Sequence, residues 1–143
     1  MRRPQKGDVW QYEYLWHREH EVGAENGRKP RPCALITAIL DKEGRTNLFL
    51  LAITSKEPTQ GRYAVEIPQI ERRRAGLSQK LRLWIILDEY NHEYLETSYH
   101  LDPNGFRGQL SHAFTHQTLS LFLDAARRGA AKRIPRQDRK STR

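Results

Sequence analysis

GRKPRPCALITAILDKEGRTNLFLLAITS, running from Gly27 to Ser55, holds the key to the fold. It contains two apolar runs, Cys33-Ala-Leu-Ile-Thr-Ala-Ile-Leu40 and Asn47-Leu-Phe-Leu-Leu-Ala-Ile-Thr54. Asp41-Lys-Glu-Gly44 separates them, a polar segment ending in Gly as a hairpin turn requires. Each run is short for a lone helix and is bounded by turn residues, so both read as buried β-strands. An antiparallel hairpin brings the start of its first strand and the end of its second to one edge. Arg31-Pro32 and Thr54-Ser55 therefore meet at one rim. Pro30 and Pro32 flank Arg31 and hold its backbone extended, which pre-organises the guanidinium. Read blandly, Arg31 is a strand-start cation paired to a surface carboxylate.

Working outward, Gly7 to Trp16 alternates, with Trp10, Tyr12, Tyr14 and Trp16 on one side, the period of a strand. Trp10 and Tyr12 read as packing residues. Trp16, beside a polar loop, could stack on a base as substrate contact. His17 to Pro30 reads as that loop, and its His17 and His20 could titrate near neutral pH. His20 joins Trp16 and Ser55 as a candidate substrate-binding residue. Further on, Tyr63–Ile67 and Leu81–Leu87 are predicted strands, with a helical turn at Ile70–Ala75 between them. Asp88 to Asn91 reads as acids following a buried strand, Tyr94–Leu101 as an edge strand and Asp102–Gly105 as a turn. Ser111 reads as the cap of an amphipathic helix whose stripe is Phe114, Thr118, Leu121, Phe122 and Ala125, ending at Gly129. About six strands and one closing helix make an α+β, mostly β fold, a small antiparallel barrel or curled sheet. Residues 1–128 form the domain, and 129–143 a basic flexible tail.

The chain has 143 residues, enough for one core. Of its formal charge of +8, the stretch from Arg127 onward carries +7, leaving +1 for the rest. Such a tail could contact nucleic acid non-specifically by phosphate neutralisation, or simply aid solubility. No run approaches the roughly 20 apolar residues of a membrane span, so no membrane partner is expected. The charged start, Met1 to Lys6, has no apolar segment behind it and does not read as a signal peptide. Cys33, the single cysteine, excludes an internal disulfide and fits the cytoplasm. Neither a phosphate-cradling lysine loop nor a dinucleotide fingerprint occurs, so no cofactor is expected. His112 and His116 have i, i+4 spacing, but with no Glu or Cys pair to complete a zinc set no metal is expected.

Arg31, Thr54, Ser55 and Glu89 share a chemical logic. A guanidinium fork can bind two phosphate oxygens, and hydroxyls beside it can bond another or orient a ribose 2′-OH. A carboxylate ending a neighbouring strand could take the 2′-OH proton. Four segments then resemble the MazF/PemK family of toxin ribonucleases: Gly7-Asp8-Val9 opening a strand, Gly-x-x-x-Arg31-Pro32 opening the next, Ala-Ile53-Thr54-Ser55 ending a third, and Trp84-Ile-Ile-Leu-Asp-Glu89. The resemblance spans about Gly7 to Arg128. It implies an SH3-like barrel, a symmetric homodimer, metal-independent cleavage of single-stranded RNA, and inhibition by a cognate antitoxin. It places Arg31 and Thr54 on the family's catalytic Arg and Thr, and Glu89 on its acidic position. Tyr90-Asn91-His92 stands where many members carry an Arg two residues after the acid, the first loop is longer than usual, and the tail is extra. The competing expectation is a module on the same barrel that binds RNA or protein without cleaving, as the related gyrase-poisoning toxins act by binding protein.

Overall fold

A computed structural model describes residues 2–21, 23, 29–98 and 100–136. The hairpin forms where its turn residues place it, between β2 (Arg31–Leu40) and β3 (Thr46–Thr54). Asp41 closes the turn by accepting the Glu43 and Arg45 N–H groups, each at 3.0 Å. Gly44 supplies the positive φ (+81°) that such a turn favours. Cys33 lies opposite Ala52 and Leu35 opposite Leu50, and a bulge before Thr37 then shifts the register.

The middles of the two strands are apolar because both their faces are covered there. On one face Ala34, Ile36, Leu51 and Ile53 pack against Phe114 and Phe122 of α3 (His112–Arg127). On the other, Cys33, Leu35, Leu48, Leu50 and Ala52 pack against Tyr12, Tyr14 and Trp16. This leaves no polar alternation in the middle of either strand. Burial pushes the Cys33 thiol up, and the side chain is a packed core group.

Around the hairpin lie β1 (Asp8–Tyr12), β4 (Ala64–Glu66), β5 (Trp84–Ile86), β6 (Glu89–Tyr94), β7 (Leu101–Gln109) and β8 (Lys132–Pro135), with short helices α1 (His17–Glu21) and α2 (Gln69–Arg74). The main path is β4-β5-β3-β2-β1-β7. β3 is shared along one edge: Asn47 to Leu50 pair with β6, and Ile53 and Thr54 pair with β5. Two strands leaving one edge curl the sheet. Among the described residues all pairings are antiparallel except the parallel β6–β8 pair. The fold is therefore α+β and mostly β, as the sequence predicts. Among the described residues no helix is long and apolar enough to cross a membrane.

α3 begins at Ser111, whose Oγ accepts the Phe114 N–H at 3.1 Å. Buried Glu71 of α2 in turn accepts the Ser111 N–H (2.8 Å) and Oγ–H (2.6 Å), tying the two helices together. The predicted stripe is buried except at Leu121, which is exposed.

The chain from Asp88 onward departs most from expectation. β6 occupies the acid-rich segment, and Leu95–Thr97 is a 3-10 turn rather than part of an edge strand. Asp102–Gly105 lies inside β7, not in a turn. Gly105 and Gly108 let that strand approach closely. A Cβ on Gly108 would lie 2.6 Å from the Ala75 carbonyl carbon, so side chains are excluded there. The expected tail contains β8, and its Ile134 is fully buried. One apolar residue among charges gives no period, but the pairing with β6 orders it. Residues 137–143 of the expected tail lie outside the described residues. α1 replaces the first part of the expected loop from His17 to Pro30, whose residues 22 and 24–28 lie outside the described ones.

Candidate functional site

Strand register sets the site. Carried two residues beyond Cys33–Ala52, the β2–β3 pairing sets Arg31 across from Thr54. Arg31 lies opposite Tyr12 on its other side, and Thr54 opposite Trp84. Opposed residues in an antiparallel sheet point to the same face. Arg31 and Thr54 therefore share the face of Cys33 and Ala52, at its margin, where the apolar packing gives way to a cavity of about 490 Å³. Both line this cavity, together with Trp16 and Ile86 on its apolar side. The polar side adds Arg18, Lys56, Glu57, Thr59 and Arg62. Among the described residues four cations thus face one carboxylate.

The Arg31 guanidinium lies over the Trp16 ring at 5.1 Å, and that of Arg18 over the same ring at 4.9 Å. Among the described residues neither has a carboxylate partner. Two like charges held on one indole repel each other, and an anion between them relieves that repulsion. The Thr54 Oγ1 accepts the Lys56 N–H at 3.1 Å, which turns the chain back toward the cavity and leaves the hydroxyl proton for a ligand. Arg62 is committed elsewhere: it holds Asp88 through two bonds (2.8 and 2.7 Å) and reaches Glu89 at 3.3 Å.

Of the other predicted site residues, Glu89, Ser55 and His20 fall outside the cavity lining. Glu89 is 6 % exposed and accepts the His17 N–H (2.9 Å) and the Tyr14 hydroxyl (3.2 Å), with Arg62 between it and the cavity. Burial raises its pKa, and the His17, Tyr14 and Arg62 contacts offset only part of that effect. Its place is a buried anchor, not a free base. Ser55 is exposed, one residue past the rim. His20 is exposed on α1. The His17 ring lies 3.4 Å from Glu21, and its backbone serves Glu89. Trp16 does line the cavity but is 8 % exposed, its ring engaged by Arg18, Arg31 and the Tyr14 edge at 5.1 Å. It supports the cations rather than offering an open stacking surface. His112 and His116 are exposed on α3, and among the described residues no group of three His, Cys, Asp or Glu could hold a metal ion.

Lys56 and Glu57 were within reach of sequence reasoning, because residues that directly follow a rim strand stay at that rim. Arg18 and Arg62 were not. Their placement depends on contacts with Trp16 and Asp88 made through the fold.

No protein family matches the chain, and no curated protein matches it significantly in sequence. The functional reading rests on the chain's own motifs and on this cationic rim.

Proposed function

We propose that the protein is an endoribonuclease that cleaves single-stranded RNA through attack of a ribose 2′-hydroxyl on its own phosphate. The observation that carries this reading is Arg31, without a carboxylate partner among the described residues, sharing one cavity with the Thr54 hydroxyl. A phosphodiester seated there meets the guanidinium fork across two oxygens, and Thr54 donates to a phosphate oxygen. Arg18 and Lys56 add positive potential where negative charge grows in the transition state. The 2′-oxygen bonds to phosphorus, the bond to the 5′-oxygen breaks, and the products are a 2′,3′-cyclic phosphate and a 5′-hydroxyl end. DNA lacks the nucleophile and is bound without being cut. Glu89 acts by fixing Arg62 and the turn into α1, as a positioning residue. The resemblance of the Arg31-Pro32 and Thr54-Ser55 segments supports the wider assignment: toxin of a toxin–antitoxin pair, metal-independent, homodimeric, SH3-like, cytoplasmic and inhibited by a cognate antitoxin.

A second reading, an RNA- or protein-binding module that does not cleave, is favoured by one observation: the expected acid is withdrawn from the cavity. One experiment separates the two. A long single-stranded RNA incubated with purified protein in EDTA should give discrete cuts, absent with Arg31→Ala and Thr54→Ala. Binding with no cuts by the parent protein would establish the module instead.

A further inference from the structure

With Glu89 buried, the proposed reaction needs another group to receive the 2′-hydroxyl proton. Among the described residues lining the cavity one carboxylate is present, Glu57, in the turn after β3. Its position follows from a chain of contacts that starts at the site. Trp84 is the strand neighbour of Thr54. The Arg82 guanidinium stacks over Trp84 at 4.9 Å and is fixed by two bonds to Glu66, each 2.9 Å. Glu66 in turn lies opposite Trp84 in the β4–β5 pairing. From this anchored place Arg82 reaches Glu57 at 3.8 Å. That contact is long and exposed, a weak tether. It keeps the carboxylate at the cavity yet lets it swing by the ångström or so that proton transfer in a substrate complex demands.

We propose that Glu57 is the general base of the RNA cleavage reaction, with Arg82 as the residue that positions it. The inference rests on the ribonuclease reading. As the 2′-oxygen bonds to phosphorus, its proton passes to a Glu57 carboxylate oxygen. The electron pair of the breaking bond leaves on the 5′-oxygen, which takes a proton from solvent water. Glu57 then returns its proton to solvent. The charged groups around it are Arg82 on the outer side and Lys56, Arg31, Arg18 and Arg62 across the cavity.

The test is single-turnover cleavage of a long single-stranded RNA by the full chain across a range of pH. Glu57→Gln should lower the rate by about 10²–10⁴-fold, keep RNA affinity, and lose the acid-side fall in rate expected of the parent. Glu57→Asp should recover part of the rate. Arg82→Ala should lower the rate less and shift the acid-side limb, which a merely structural loss would leave in place. Glu57→Gln cutting at the parental rate with the parental pH profile overturns the inference, while loss of cutting in Arg31→Ala in that same experiment leaves the ribonuclease reading standing. A parent protein that makes no cuts ends both.

Discussion

Two arginines at the margins of one sheet face show how a side chain is committed to structure or left for function. Arg136, just past β8, is 5 % exposed and donates to the Tyr12 hydroxyl (3.2 Å), Asn91 Oδ1 (2.9 Å) and the Glu13 carbonyl. Tyr12 also donates to buried Glu93 (2.7 Å), and Asn91 exchanges bonds of 2.9 and 2.8 Å with the Leu15 backbone. The network pins β8, β6 and the end of β1 together. Arg31 lies opposite Tyr12 itself, one strand over. It rests on an indole, has no carboxylate partner among the described residues, and lines an open cavity. The same residue type thus serves two ends, and what separates them is the presence of neutral and acidic acceptors around the charge.

The contrast can be broken by substitution, and the largest effect belongs to the buried side. Deleting everything after Gly129 removes β8, the Ile134 contact and Arg136 together. The truncated chain should then be unfolded without urea or unfold at a sharply lowered urea midpoint; a truncated protein as stable as the parent would show that the network is ornamental. Arg136→Ala alone leaves the Glu13 carbonyl and Asn91 short of a donor and should cost about 3 kcal/mol. Arg31→Ala is the mirror image. Cleavage should fall by about 10³-fold or more, while the urea midpoint stays within error of the parent. Equal losses of stability from the two substitutions would erase the distinction.

Glu89 sharpens the comparison with a smaller effect. Burial raises its pKa in the folded chain above the ordinary 4.5. Folded protein then holds this proton more tightly than unfolded chain, so the group's contribution to stability is full below about pH 4.5 and declines as pH rises through the folded value. The stability of the parent relative to Glu89→Gln should therefore fall from pH 4 toward pH 7. Urea titrations of both proteins at each pH measure it. A difference that grows with pH would mean that Arg62 and the hydrogen bonds outweigh burial.

These residues also show which parts of the molecule a sequence exposes. The hairpin was legible because its turn, Asp41 to Gly44, and its two apolar runs are local, and register then carried Arg31 and Thr54 to one rim without further information. β6 was not legible, because its inward positions Glu89, Asn91 and Glu93 are polar and are satisfied by Tyr14, Leu15 and Tyr12, from the other end of the chain. Polar residues facing inward reverse the usual pattern, and only the partners reveal it. The withdrawal of Glu89 from the cavity has the same cause. β8 was hidden by its charges, since one buried Ile134 does not make a period. Trp16 lines the cavity with Arg31 and Thr54, but the cations that occupy its ring could not be read from spacing.

The central claim is that Arg31 and Thr54 act on one phosphate, and a double-mutant cycle addresses it most directly. Single-turnover cleavage of a long single-stranded RNA would be measured in EDTA for the parent, Arg31→Ala, Thr54→Val and the double variant. Side chains that hold the same group lose their effect together, so the double variant should be little slower than the slower single variant. Penalties that multiply in full, or an Arg31→Ala protein that cuts like the parent, would contradict a shared phosphate site at this rim.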